Sequence, residues 1–234
     1  MYGQFFILFG LILVGYYCNK KGYLPLETNK NVGHMVMRVT IPAMLITTIA
    51  SIEITDRVLR AFLLSAAGQI AMMVVFGFLM RQYGRKRGLD SRLLPMLDLT
   101  AGSLNTGFIG LPVTMIFFGQ AGIIYMSAGV LALNLYLWSY GVYLISDKKA
   151  TGAAAIGKSF LQGAINPNCI SILLGLLLAV THTARFVPTV VLGFLTKVGD
   201  LSTPLSLIYI GALAGGSGIV QLFKEKMALE ISVV

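Results

Sequence analysis

Asn105-Thr106-Gly107-Phe108-Ile109-Gly110-Leu111-Pro112 brings an amide, a hydroxyl, two glycines and a proline together inside an apolar run spanning about 93–117. A spanning helix satisfies its own backbone, so this composition predicts unpaired backbone groups at bilayer depth. Such groups in membrane proteins serve a ligand or ion. A half-helix starting there would aim free N–H donors and about half a positive charge at an anion such as a carboxylate. In that reading Gly107, Gly110 and Pro112 break the helix, Asn105 and Thr106 supply polar groups, and Gly107 and Gly110 let substrate reach the backbone. The competing reading is a kinked helix whose glycines only permit close packing. The combination of residues favours binding.

Asp98 lies one to two helical turns before Asn105. A carboxylate inside an apolar run is costly unless paired, hydrated or protonated, so Asp98 is a candidate proton-coupling group. Alternatively the span begins later and Asp98 sits at the interface beside Arg92. Asn134, with Trp138 four residues on and on the same helical face, is a further candidate substrate contact; otherwise it makes an interhelical hydrogen bond. Thr47, Thr48 and Ser51 are weaker candidates, because hydroxyls in membrane helices commonly bond to their own backbone. His34 and His182 have no second ligand at metal spacing, and Cys18 and Cys169 show neither metal nor disulfide spacing. No catalytic constellation, metal set or cofactor motif emerges, and a phosphate-cradling Gly-x-x-x-x-Gly-Lys-Ser/Thr loop is absent from the sequence, so the chain reads as no enzyme and no ATP-driven pump.

The elements that must hold these residues are membrane helices. Hydrophobic residues make up 56% of the chain, charged residues 12%, and mean hydropathy is +0.82. That composition excludes a soluble domain. Apolar runs predict seven spans, at about 2–18, 35–51, 59–80, 93–117, 123–145, 165–181 and 201–222, with Arg38 snorkelling from the second. The first run has no preceding basic residue and no cleavage site, so it reads as a retained helix. Pro42 and Pro204 should kink their helices, and Met72, Met73 and Met80 should fill gaps between helices.

The formal net charge of +9 comes from short basic clusters between apolar runs, a membrane-flanking pattern and not a nucleic-acid face. Fourteen of the 18 Lys and Arg residues follow spans one, three, five and seven, including Arg85-Lys86-Arg87. Only Arg57, Arg60, Arg185 and Lys197 follow the even spans. The positive-inside rule therefore puts the N-terminus outside and the C-terminus inside.

The chain also resembles itself. Residues 12–50 contain Tyr23-Leu24-Pro25 followed by Thr40-Ile41-Pro42, and residues 175–212 contain Phe186-Val187-Pro188 followed by Ser202-Thr203-Pro204. If span six repeats span one, five helices make one unit and the odd number inverts the second, as in secondary transporters. The expected division is a first five-helix unit at 1–146 with its broken helix at 93–117, a cytoplasmic connector at 147–164, and an incomplete second unit of two helices plus tail at 165–234. By analogy three more spans should follow, so the chain reads as an incomplete transporter.

The residues resemble the auxin efflux carrier family of permeases, which includes bacterial transporters of small organic acids such as malate and malonate. The resemblance covers essentially the whole chain. It rests on Gly22-Tyr23-Leu24, Ile41-Pro42-Ala43, the Asn105–Pro112 motif, Phe118-Gly119-Gln120-Ala121-Gly122, Asn134 with Trp138, Asn166-Pro167 and residues 199–204. It implies an all-α polytopic membrane fold of ten helices in a 5+5 inverted repeat, with two broken helices crossing at the centre and one unit rocking to give alternating access. Seven of those helices are expected here.

The expected function is thus a multi-pass permease of the cytoplasmic membrane that moves small organic anions such as dicarboxylates. Its partners would be that substrate, the lipid bilayer and a proton or cation gradient. The alternative is a truncated or non-transporting membrane protein that needs the missing helices or a partner chain. A homodimer would supply two broken helices, but a parallel pair is related by an axis along the membrane normal, not by the inverted symmetry of the family.

Overall fold

The computed structural model describes residues 2–91, 93–145 and 165–216, and every regular element among them is helical. Arg92, the connector 147–164 with Lys148, Lys149 and Lys158, and the tail with Lys224 and Lys226 lie outside the described residues. Helix α1 (Tyr2–Lys20) is apolar almost throughout, with Lys20 in its last turn. At 1.5 Å per residue it is about 28 Å long, one bilayer crossing. Its Phe6, Phe9, Leu13 and Tyr17 are exposed, a face suited to lipid.

The second pass is a single helical stretch, Leu26–Ala50. It consists of α2 (Leu26–Met35), a π-turn at Val36–Thr40, and α3 (Ile41–Ala50). The π-turn is a response to Pro42, which lacks an N–H and whose ring crowds the carbonyl four residues back. Instead the Ile41 N–H bonds the Val36 carbonyl, five residues back. The same device precedes Pro112, where the Leu111 N–H bonds the Thr106 carbonyl. Helix α4 (Asp56–Lys86), 31 residues long, forms the third pass and starts at Thr55, whose hydroxyl accepts from the Val58 N–H at 3.3 Å.

Helix α5 (Leu94–Gly102) and helix α6 (Leu111–Tyr136) flank an interruption. Within α6, Gly119 takes φ 62° and ψ −157°, a conformation that only glycine adopts readily. Thr114 lies against Gly122 and Met126 against Gly110, two pairs centred on Phe118. Gly119 therefore folds α6 into an antiparallel hairpin, and the stretch Leu94–Leu144 contains passes four and five. The second arm continues through a π-turn at Leu137–Gly141 into α7 (Val142–Ile145).

Helix α8 (Pro167–Val180) is capped by Asn166 Oδ1, which accepts from the Asn168 N–H at 2.9 Å. A last stretch, Thr189–Gly216, comprises α9 (Thr189–Asp200) and α10 (Ser202–Gly216), with the interruption at Leu201 shortly before Pro204. Two expectations are corrected here. The last pass starts at Thr189 instead of near residue 201, so Lys197 and Asp200 lie within it. The second pass starts at Leu26 instead of near residue 35, so Lys30 is helical as well as Arg38. Charges lower a hydropathy average and end a predicted span, whereas a packed helix continues through them; Gly199 of α9, for instance, sits directly on the Met44 backbone of α3.

Helix α3 occupies the centre: Ile41, Leu45 and Ile49 are fully buried with Leu111, Ile123, Ile124 and Ile172. Helix α1 packs along α10, and α3 along α8. The internal repeat equates residue 12 with 175 and residue 49 with 211. Gly211 abuts the Ile12 carbonyl, and Gly175 abuts the Ile49 side chain. Equivalent positions thus meet in both halves, with the glycine on opposite partners.

Candidate functional site

The chain leaves the helix at residues 103–105. Ser103 (φ −83°, ψ 93°) and Asn105 (φ −79°, ψ 71°) are non-helical, and the Thr106 N–H reaches back to the Leu104 carbonyl at 2.9 Å. The break therefore precedes Gly107, Gly110 and Pro112, which were expected to make it. Those residues belong to the π-turn Thr106–Gly110 and the first turn of α6. The physical reason is capping: Asn105 Oδ1 accepts from the Phe108 N–H at 3.1 Å and starts the second half-helix, which then accommodates Pro112 through the π-turn instead of breaking at it.

The space beside the two glycines is filled by methionines. A side chain on Gly107 would touch Met37 Sδ, and one on Gly110 would overlap the Met126 methyl. Thr106 is 2% exposed and its hydroxyl has no partner among the described residues, whereas Asn105 is exposed. Phe108 stacks on Tyr209 of α10 with ring centroids 4.5 Å apart, so the half-helix is held by the last described helix. The Asn134 amide donates to the Val130 carbonyl of its own helix at 2.8 Å. Thr47 and Ser51 likewise donate to their own helix, to Ala43 and Thr48 respectively.

Asp98 is completely buried. Its Oδ2 receives the Tyr140 hydroxyl at 2.9 Å and faces Arg81 Nη1 at 3.5 Å. The carboxylate is thus enclosed by protein and not open to solvent. Gly77 of α4 makes the burial possible, since a Cβ there would overlap Asp98 Oδ1; a Cβ on Gly102 would overlap the Tyr136 hydroxyl. Asp98 Oδ1, Arg81 Nε and Tyr136 Oη are buried without hydrogen-bond partners among the described residues. One carboxylate thus ties α5, the first half of the broken helix, to the third and fifth passes.

A family model described as membrane transport protein matches residues 1–222. The chain belongs to that family. It is the auxin efflux carrier family to which the motifs pointed. An uncharacterized transporter of Methanothermobacter thermautotrophicus is 26% identical over 204 residues, covering 86% of this chain and 64% of the relative. The chain thus spans just under two thirds of that relative's length. Family and apolar helices together make it an integral membrane protein.

In this family member the sequence reading missed Arg81, Tyr136, Tyr140 and Asp200. Arg81 reads as a membrane-flanking charge, yet it partners a carboxylate seventeen positions on because α4 and α5 run antiparallel. A signal was present: Gly77 and Gly84, two helical turns apart, both face α5. Asp200 lies at the end of α9 within a pass, just before the predicted start of the last span.

Proposed function

We propose that this chain is the larger part of a secondary transporter that moves small organic anions, such as dicarboxylates, across the cytoplasmic membrane by alternating access. The observation that carries the reading is the helix interruption at 103–105, where a capped half-helix N-terminus and the Thr106 hydroxyl, unpartnered among the described residues, lie at the centre of a membrane pass. A half-helix N-terminus presents N–H donors and positive potential to a carboxylate. Asn105, Thr106 and Asn134 would contribute polar contacts, and Gly107 and Gly110 backbone approach once the flexible Met37 and Met126 side chains swing aside. Asp98 would tune proton coupling and not bind substrate. The division at 1–146, 147–164 and 165–234 into a five-helix unit, a connector and part of an inverted second unit is supported by the reciprocal packing of Ile12 with Gly211 and Ile49 with Gly175. The basic clusters put the N-terminus outside.

The test is uptake of labelled malate, malonate and succinate into proteoliposomes holding the chain, alone and with a second polypeptide carrying the last third of the archaeal relative. Uptake in either preparation supports transport. No flux of any dicarboxylate in both preparations, with the protein folded, would count against it. The length relation to the relative favours a second reading, that this chain alone does not transport; uptake only in the complemented preparation would establish that reading.

A further inference from the structure

A cavity of about 130 Å³ lies between α3, the α6 hairpin and α9, apart from the helix break. Its polar lining is Thr47 and Thr48 of α3, Ser51 just after that helix, Gln120 just after the Gly119 reversal, and Thr196 and Asp200 of α9. At roughly 30 Å³ per water it has room for an ion and a few waters. We propose that this cavity is a binding site for a monovalent metal cation of sodium-like size.

The hydroxyl hydrogens decide the sign of the ligand. Thr47 Oγ1 donates to the Ala43 carbonyl at 2.9 Å, Ser51 Oγ to the Thr48 carbonyl at 2.8 Å, and Thr196 Oγ1 to the Leu192 carbonyl at 2.8 Å. A hydroxyl has one hydrogen and two lone pairs, so these three have only lone pairs left to offer. They can coordinate a cation but cannot donate to a carboxylate. Thr48 is 4% exposed, lines the cavity and makes no side-chain hydrogen bond among the described residues. Asp200 is exposed at the end of α9 and without an ion-pair partner among the described residues, and its carboxylate repels an organic anion. One carboxylate among neutral oxygens balances a single positive charge, whereas divalent calcium sites use several carboxylates. An ionisable residue within a membrane pass is costly to keep without such a use.

The position gives the ion something to do. Thr47 and Thr48 belong to the helix at the centre of the core, Gln120 to the turn that ends the broken pass, and Asp200 to the interruption of the last pass. An ion held by all three would tie them together. A role in coupling rests on the transport reading above; occupancy of the site does not.

The experiment is thermal unfolding of the purified chain in detergent, titrated with sodium chloride against choline chloride at constant ionic strength. Sodium is expected to raise the unfolding temperature saturably, by about 3 °C at tenfold excess over the dissociation constant. Asp200→Asn and the near-isosteric Thr48→Val should each abolish the shift, while Asp98→Asn should keep it. The second variant keeps the test valid if one of them does not fold. A shift equal in choline, one preserved in both cavity variants, or one produced equally by calcium would overturn the proposal. Loss of anion transport with the sodium shift intact would sink the transport reading and leave this one standing.

Discussion

The Arg81–Asp98 pair allows a quantitative test of how the broken helix is held. Removing one partner of a buried ion pair costs about 3–5 kcal/mol, because the other charge is left uncompensated. The two sides differ here: the Arg81 side chain is 30% exposed and the Asp98 side chain 1%, at a separation of 3.5 Å. Arg81→Gln strands the fully buried charge with only the Tyr140 hydroxyl, so with partial solvent screening it should cost about 2 kcal/mol. Asp98→Asn leaves a guanidinium that can reach solvent and should cost less, about 1 kcal/mol. The double variant removes both charges and should recover at least about 1 kcal/mol relative to the sum of the singles. For a chain of this size 2 kcal/mol corresponds to roughly 4–8 °C in unfolding temperature, measurable in detergent by intrinsic fluorescence. Additive single effects, or Asp98→Asn being the more damaging, would refute the view that this pair anchors α5.

Three other outcomes follow from the same geometry. In the reconstituted transporter Asp98→Asn should flatten the pH dependence of anion uptake; an unchanged profile would remove Asp98 from coupling. Asn105→Ala should cost about 1 kcal/mol through loss of the cap on the Phe108 N–H, whereas Asn105→Asp should keep the cap and the stability yet abolish anion uptake, read by unfolding and flux side by side. Gly211→Ala should destabilise by about 1–3 kcal/mol, because its Cβ overlaps the Ile12 backbone, and Gly175→Ala by less, because its nearest neighbours, Ile49 Cβ at 2.9 Å and the Leu45 carbonyl at 3.3 Å, lie farther off; equal unfolding temperatures would contradict this ranking.

Much of the fold was legible because membrane helices are selected by hydropathy over a window about as long as a bilayer is thick. The pass order, the irregular fourth pass and the matched prolines could all be read this way. The break was placed a few residues late, since glycine and proline attract the eye while the cap is made by Asn105. The limits of the second and last passes were missed for a different reason. Lys30, Lys197 and Asp200 end an apolar window, but each sits in a helical stretch that continues past it.

By itself the sequence determined the membrane class, the family and the eight residues around the break, because bilayer insertion and backbone chemistry depend on local composition. Tertiary structure alone decided that Asp98 is tied to Arg81 and Tyr140, that Met37 and Met126 occupy the space beside the two glycines, and that Asp200 lines one cavity with Thr47 and Thr48 of α3. Those relations join residues on different helices, and which faces meet is set by side-chain packing between passes, where small residues such as Gly77, Gly199 and Gly211 allow close approach. No single span carries that information.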